Sequence, residues 1–183
     1  MLGIIIVLVI IAAIAVWVIK SYNSLVKLRN RVKDQWAQVD VQLKRRFDLI
    51  PNIVETVKGY ASHEQDTLTK VIEARNSAVS AKNIDEEIEA NNQLTGALNK
   101  LFALSEAYPE LKANENFKDL QNNLKEVEDK IAYARQFYND TVLKYKDATE
   151  TFPTNIIAGM FGFKEEKFFE ASEEEKKNVT VQF

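Results

Sequence analysis

Hydrophobic positions divide this chain into two regimes. From Leu2 through Ile19 every residue is apolar or glycine, and the run stops at Lys20. At about 1.5 Å per residue this run is roughly 27 Å long as a helix, close to the hydrocarbon thickness of a bilayer. Beyond it, apolar residues recur at steps of three and four. Leu25, Leu28, Val32, Trp36, Val39, Leu43, Phe47 and Ile50 form one such stripe, which predicts a helix with a single buried face. No glycine or proline falls between Gly3 and Pro51, so the apolar helix is expected to run on into the striped one without a flexible linker.

Pro51 interrupts the second regime, yet the stripe stays in phase across it through Val54, Val57 and Ala61. Either the helix kinks or it ends and another begins. A tight reversal is the expectation taken forward. Proline suits the first turn of a new helix, and Asp48 is placed to cap it. The second helix then covers residues 51–81, with His63 on its polar face. A break at 82–87 carries two capping candidates, Asn83 and Asp85, and an acidic cluster suited to a helix start. The third helix, 84–106, is apolar at Leu94, Leu98, Leu101 and Phe102; Tyr108-Pro109 and residues 112–114 form a turn. In the fourth helix Phe117, Leu120, Leu124, Val127, Ile131, Ala134, Tyr138, Thr141, Tyr145 and Ala148 alternate steps of three and four. Such a heptad seam can dimerise or pack within its own chain. The remainder is dense in phenylalanine around Gly159 and Gly162, then charged at 173–177.

The fold class is therefore all-α. A transmembrane anchor occupies residues 1–20, a helical bundle 21–150, and a Phe-rich C-terminal tail 151–183. A cleaved signal peptide and a buried soluble helix are the other readings of the first run. The absence of a basic segment before it, and its length, favour an uncleaved span. Lys20, Lys27, Arg29, Arg31 and Lys33 all follow it, which places the N-terminus outside and the bundle in the cytoplasm, on the inner face of the cell membrane. Trp17, Lys20, Tyr22 and Lys27 are the candidate membrane-interface residues.

Composition narrows the chemistry. There is no cysteine, which removes disulfides and thiolate metal sites. A net charge of −3 gives no support to nucleic-acid binding. The one histidine opens His63-Glu64-Gln65-Asp66-Thr67, which starts like a zinc-protease motif but lacks the second histidine. No nucleophile elbow or phosphate-binding loop is present. No catalytic, cofactor or metal residue is assigned, and an enzyme is not expected. Lys44, Arg45 and Arg46 admit two readings: local pairing with Asp40 and Asp48 at helical spacing, or a contact for an acidic partner or a neighbouring subunit. Lys44 is about 36 Å along a straight helix from Lys20, several Debye lengths from its own membrane. Phe152, Ile156, Ile157, Met160, Phe161 and Phe163 likewise pack on their own bundle or meet membrane or subunit.

Several blocks resemble one family. They are Tyr22-Asn23-Ser24-Leu25-Val26, Trp36, Asp40-Val41-Gln42-Leu43-Lys44-Arg45-Arg46, Asp48-Leu49-Ile50-Pro51-Asn52, Val57-Lys58-Gly59-Tyr60, His63-Glu64 and Ala74-Arg75. Arg135, Tyr138-Asn139 and Phe152-Pro153 follow. The chain is identified as a member of the LemA family of bacterial membrane proteins, with Phe47 standing where the family often carries histidine. The resemblance implies a single-pass protein whose soluble part is an antiparallel up-and-down four-helix bundle. That topology returns the end of the fourth helix, and the tail after it, to the bilayer surface. The family's associations are with membrane proteases, stress responses and, in one branch, magnetosome membrane formation. The expected function is a non-enzymatic, self-associating scaffold or adaptor that contacts the bilayer and other envelope proteins. The alternative is a membrane-remodelling or envelope-stress protein acting through lipid contact and oligomeric assembly.

Overall fold

The structure, a computed structural model, describes residues 1–170; the charged end at 173–177 lies outside the described residues. Those residues form six helices and no strand: α1 Leu2–Tyr60, α2 Gln65–Ser80, α3 Ile84–Ser105, α4 Pro109–Ala113, α5 Glu115–Glu150 and α6 Thr154–Phe161. They fall into two compact units. One comprises Met1–Gln38 with Gln136–Phe168, the other Val39–Arg135 with the segment from Phe169.

The reversal expected at Pro51 does not occur there. α1 continues through the proline to Tyr60, and the chain turns at residues 61–64. Pro51 has no N–H to give to the carbonyl of Phe47, one helical turn earlier, and an interior proline costs about 3 kcal/mol. Two things offset this. Ile50, Ile53, Val54 and Val57 are all buried around it, each contributing about 1.5–3 kcal/mol of apolar burial. The orphaned Phe47 carbonyl also finds another donor, because Arg75 Nε of α2 donates to it at 3.1 Å. Asp48 consequently sits inside a helix and caps nothing. His63 lies in the turn between α1 and α2 rather than along a helix.

The remaining boundaries follow local chemistry. Asn83 caps α3: its side-chain oxygen accepts the Glu86 N–H at 3.0 Å, while the Glu86 carboxylate accepts from the Asn83 side-chain amide at 2.8 Å and from the Lys82 N–H at 2.9 Å. Pro109 opens the short helix α4 where the sequence suggested only a turn. Asn114 starts α5 by accepting the Phe117 N–H at 2.9 Å.

In the second unit, α2 packs on α3. Val39, Leu43, Ile50, Ile53 and Val57 of α1, Val71 of α2, Leu94 and Leu101 of α3, Leu111 of α4 and Phe117 of α5 are all buried. Tyr108 donates to Glu64 at 3.1 Å, and Asn114 to Tyr60 at 2.9 Å. Most of the heptad seam on α5 is buried within the chain. In the first unit the core is Leu25 with Ile157 and Ala158, against which Val18, Ala148 and Phe163 pack.

Candidate membrane-interface site

The Phe-rich tail holds a helix. Thr154 opens α6 by donating its hydroxyl to the Thr151 carbonyl at 2.9 Å. Gly162 closes it in the left-handed conformation, φ 68°, while the Phe163 N–H reaches back to the Ala158 carbonyl at 3.0 Å. A residue with a Cβ is strained at that φ, so glycine there sets where the helix stops.

α6 carries apolar residues on both its buried and its exposed sides, with Asn155 as its exposed polar side chain. Ile157 and Ala158 turn inward onto Leu25 and Val18 of α1 and Ala148 of α5. The Tyr22 ring lies 4.8 Å from Phe161 and 5.6 Å from Phe163, and the Arg29 guanidinium stands 5.3 Å from the centre of the Phe163 ring. Phe152, Ile156, Met160 and Phe161 are exposed, Met160 to 72%. These contacts fix the level of α6 along α1. Val18 belongs to the apolar run, and Leu25 is about 9 Å beyond Ile19. Trp17, Lys20, Tyr22 and Lys27 are exposed over the same stretch. Among the described residues, α1 is the helix long and apolar enough to cross a membrane by length and composition, and its apolar window is wholly unburied.

Two candidate contact residues are corrected. Ile157 is 2% exposed and belongs to the core of its own unit. Its neighbour Ile156 is one residue out of phase and faces outward. Arg46, also 2% exposed, is spent inside the second unit: its Nη2 donates to the Thr95 hydroxyl at 2.8 Å and its Nε lies 2.9 Å from a Glu128 carboxylate oxygen. Lys44 stays on the surface, paired with Asp40 at 2.8 Å. That hydrogen bond and the Asp40 charge hold its ammonium above the usual lysine range. Arg45 is exposed. The three basic neighbours thus do not act as one patch, and they belong to a different unit from α6.

A recess of about 360 Å³ opens beside Lys44, lined by Asp40, Phe47, Asp48, Arg75 and Glu87 among others. Burial, reinforced by the adjacent Asp40 carboxylate and opposed by Lys44, pushes the Glu87 carboxyl up to about 7. Nothing in the sequence marked that pair, since Asp40 and Glu87 meet only across α1 and α3. Among the described residues, no group of three or more His, Asp or Glu side chains is arranged to hold a metal ion.

A family model described as the LemA family matches residues 35–183. Magnetosome protein MamQ 2 of Paramagnetospirillum magneticum is 26% identical over 175 residues, covering 81% of this chain and 64% of the relative. Protein LemA of Metamycoplasma hominis is 28% identical over 162 residues, covering 86% and 72%. Magnetosome protein MamQ of Magnetospirillum gryphiswaldense is 25% identical over 174 residues, covering 81% and 64%. The chain therefore spans less than two thirds of the length of the MamQ relatives. Its first helix supplies a candidate membrane span, and the match runs through Pro51, Arg75 and the whole of α6: the chain belongs to the LemA family.

Proposed function

We propose that this protein is a non-enzymatic scaffold of the bacterial cell envelope, anchored once in the inner membrane by residues 2–19. Its N-terminus lies outside and its helical domain in the cytoplasm. The four long helices α1, α2, α3 and α5 form an antiparallel up-and-down bundle, and the protein self-associates and docks other envelope proteins, a membrane protease among them. One observation carries the membrane placement. α6 is held against α1 where the apolar run ends, with Phe152, Ile156, Met160 and Phe161 left facing outward. An apolar surface there is costly in water and stable in the interfacial zone of a bilayer. The basic residues from Lys20 to Lys33 support the orientation.

The same observation favours a second reading, membrane remodelling. A short apolar helix set into one leaflet acts as a wedge, and two of the relatives carry magnetosome names.

The test is crosslinking of the full chain in native membranes, with the captured species identified by mass. Homo-oligomers together with a reproducible set of envelope proteins are expected. Monomer alone overturns the scaffold reading. Because the chain has no cysteine, a single cysteine at Ser80 reports topology. Labelling by an impermeant maleimide only after the membrane is opened is expected; labelling of intact cells reverses the orientation.

A further inference from the structure

Interfacial helices usually draw affinity from two sources, burial of an apolar face and attraction of basic side chains to anionic lipid. α6 has only the first. Thr154–Phe161 reads TNIIAGMF, with no acidic and no basic residue, and its flanks Phe152, Pro153, Gly162 and Phe163 are uncharged as well. Its polar side is Asn155 and Gly159, both exposed, while the Thr154 hydroxyl is already committed to Thr151. The outward apolar group is bulky: two phenylalanines, an isoleucine and a methionine.

The helix cannot adjust its own depth. Ile157 and Ala158 lock it onto Leu25, and Phe161 onto Tyr22, at a level about 9 Å or less beyond Ile19. With headgroup layers about 5–8 Å thick on each side of the hydrocarbon, that level lies in the headgroup zone, next to Val18 at its inner edge. Nor does α6 have to recruit the protein, because residues 2–19 already hold it at the surface and make insertion intramolecular. What remains variable is the bilayer. Phe152, Ile156, Met160 and Phe161 can enter only where the headgroups leave apolar gaps.

We infer that α6 senses lipid packing: its outward side chains insert where headgroups are loosely packed, as in convex or highly unsaturated leaflets, without regard to anionic lipid. The inference rests on the reading that residues 2–19 span the membrane and α6 lies at its surface.

The full chain with Met160→Cys, carrying an environment-sensitive NBD label at this exposed position, tests it after reconstitution into phosphatidylcholine vesicles. External dithionite separates molecules facing the convex leaflet from those in the lumen. A blue shift several-fold more populated in small than in large vesicles, quenched by doxyl-labelled lipid and unchanged by phosphatidylglycerol or salt, is expected. Equal insertion at both sizes, or insertion that rises with phosphatidylglycerol, overturns the sensor while leaving α6 at the interface. A blue shift that doxyl lipid fails to quench places Met160 against a second copy and overturns it too. No blue shift in any vesicle removes α6 from the membrane and takes the interfacial placement with it. A second variant works in the opposite direction. Adding Asn155→Lys and Gly159→Lys, at exposed positions where a Cβ at Gly159 meets nothing within 4 Å, is expected to make insertion respond to phosphatidylglycerol. If that response is already present without the two lysines, the inference fails.

Discussion

Arg75 supplies the donor that Pro51 lacks. The proline withholds an N–H from the Phe47 carbonyl, and Arg75 Nε donates one at 3.1 Å. A charge-assisted hydrogen bond contributes about 1.5–3 kcal/mol, and a buried carbonyl left without a donor costs about 1–3 kcal/mol. Arg75→Met in the natural background is therefore expected to destabilise the protein by about 2 kcal/mol. Pro51→Ala restores the helical donor, so the Phe47 carbonyl is satisfied whether or not Arg75 is present. In that background Arg75→Met is expected to cost about 1 kcal/mol less. Arg75 also faces Asp40, Asp48 and Glu87 across the recess. That electrostatic contribution is common to both backgrounds and cancels in the double-mutant cycle. Urea unfolding of the four full-length variants in detergent, followed by far-ultraviolet circular dichroism, measures the cycle. An equal cost of Arg75→Met in both backgrounds would falsify the assignment of Arg75 as the substitute donor.

Two further predictions concern charges. Glu128→Gln removes a carboxylate 2.9 Å from the buried Arg46 Nε and should cost about 3 kcal/mol. Arg46→Met takes one partner from a Glu128 side chain that is already 37% exposed, and should cost clearly less; equal thermal shifts would refute this asymmetry. Glu87, raised to about 7 when folded, binds more protons in the native than in the unfolded state between its ordinary carboxylate range and pH 7. Stability should therefore fall as pH rises through that window and level off above it. Glu87→Gln should flatten the slope, and an unchanged melting profile against pH would refute the role given to Glu87.

The helical plan was legible because burial writes itself into spacing. The stripe from Leu25 to Ile50 and the seam on α5 are buried where their phase put them. Pro51 misled because the rule for proline is local, whereas the compensating donor arrives from a residue 28 positions beyond the carbonyl it serves. Arg46 was readable in principle: it stands seven residues after Val39 and three after Leu43, on the buried side of α1, which sets it apart from Lys44 and Arg45. α6 had its own signal, an apolar turn closed by Gly162. The choice between Ile156 and Ile157 was open to phase as well, but only once the partner face around Leu25 was known. Glu87 had no such signal, since its environment comes from α1.

Residues 2–19 are apolar on every side, so as an isolated helix the span has no reason to show one flank rather than another to a given neighbour. α6 removes that symmetry. Fixed through Leu25 and Tyr22 to one side of α1, it acts as an outrigger. In the proposed placement of α6 at the bilayer surface, tilt of the span is referred to that side, and rotation about its own axis becomes costly. On that proposal the span has a front and a back in the plane of the membrane, set by the side of α1 that carries α6.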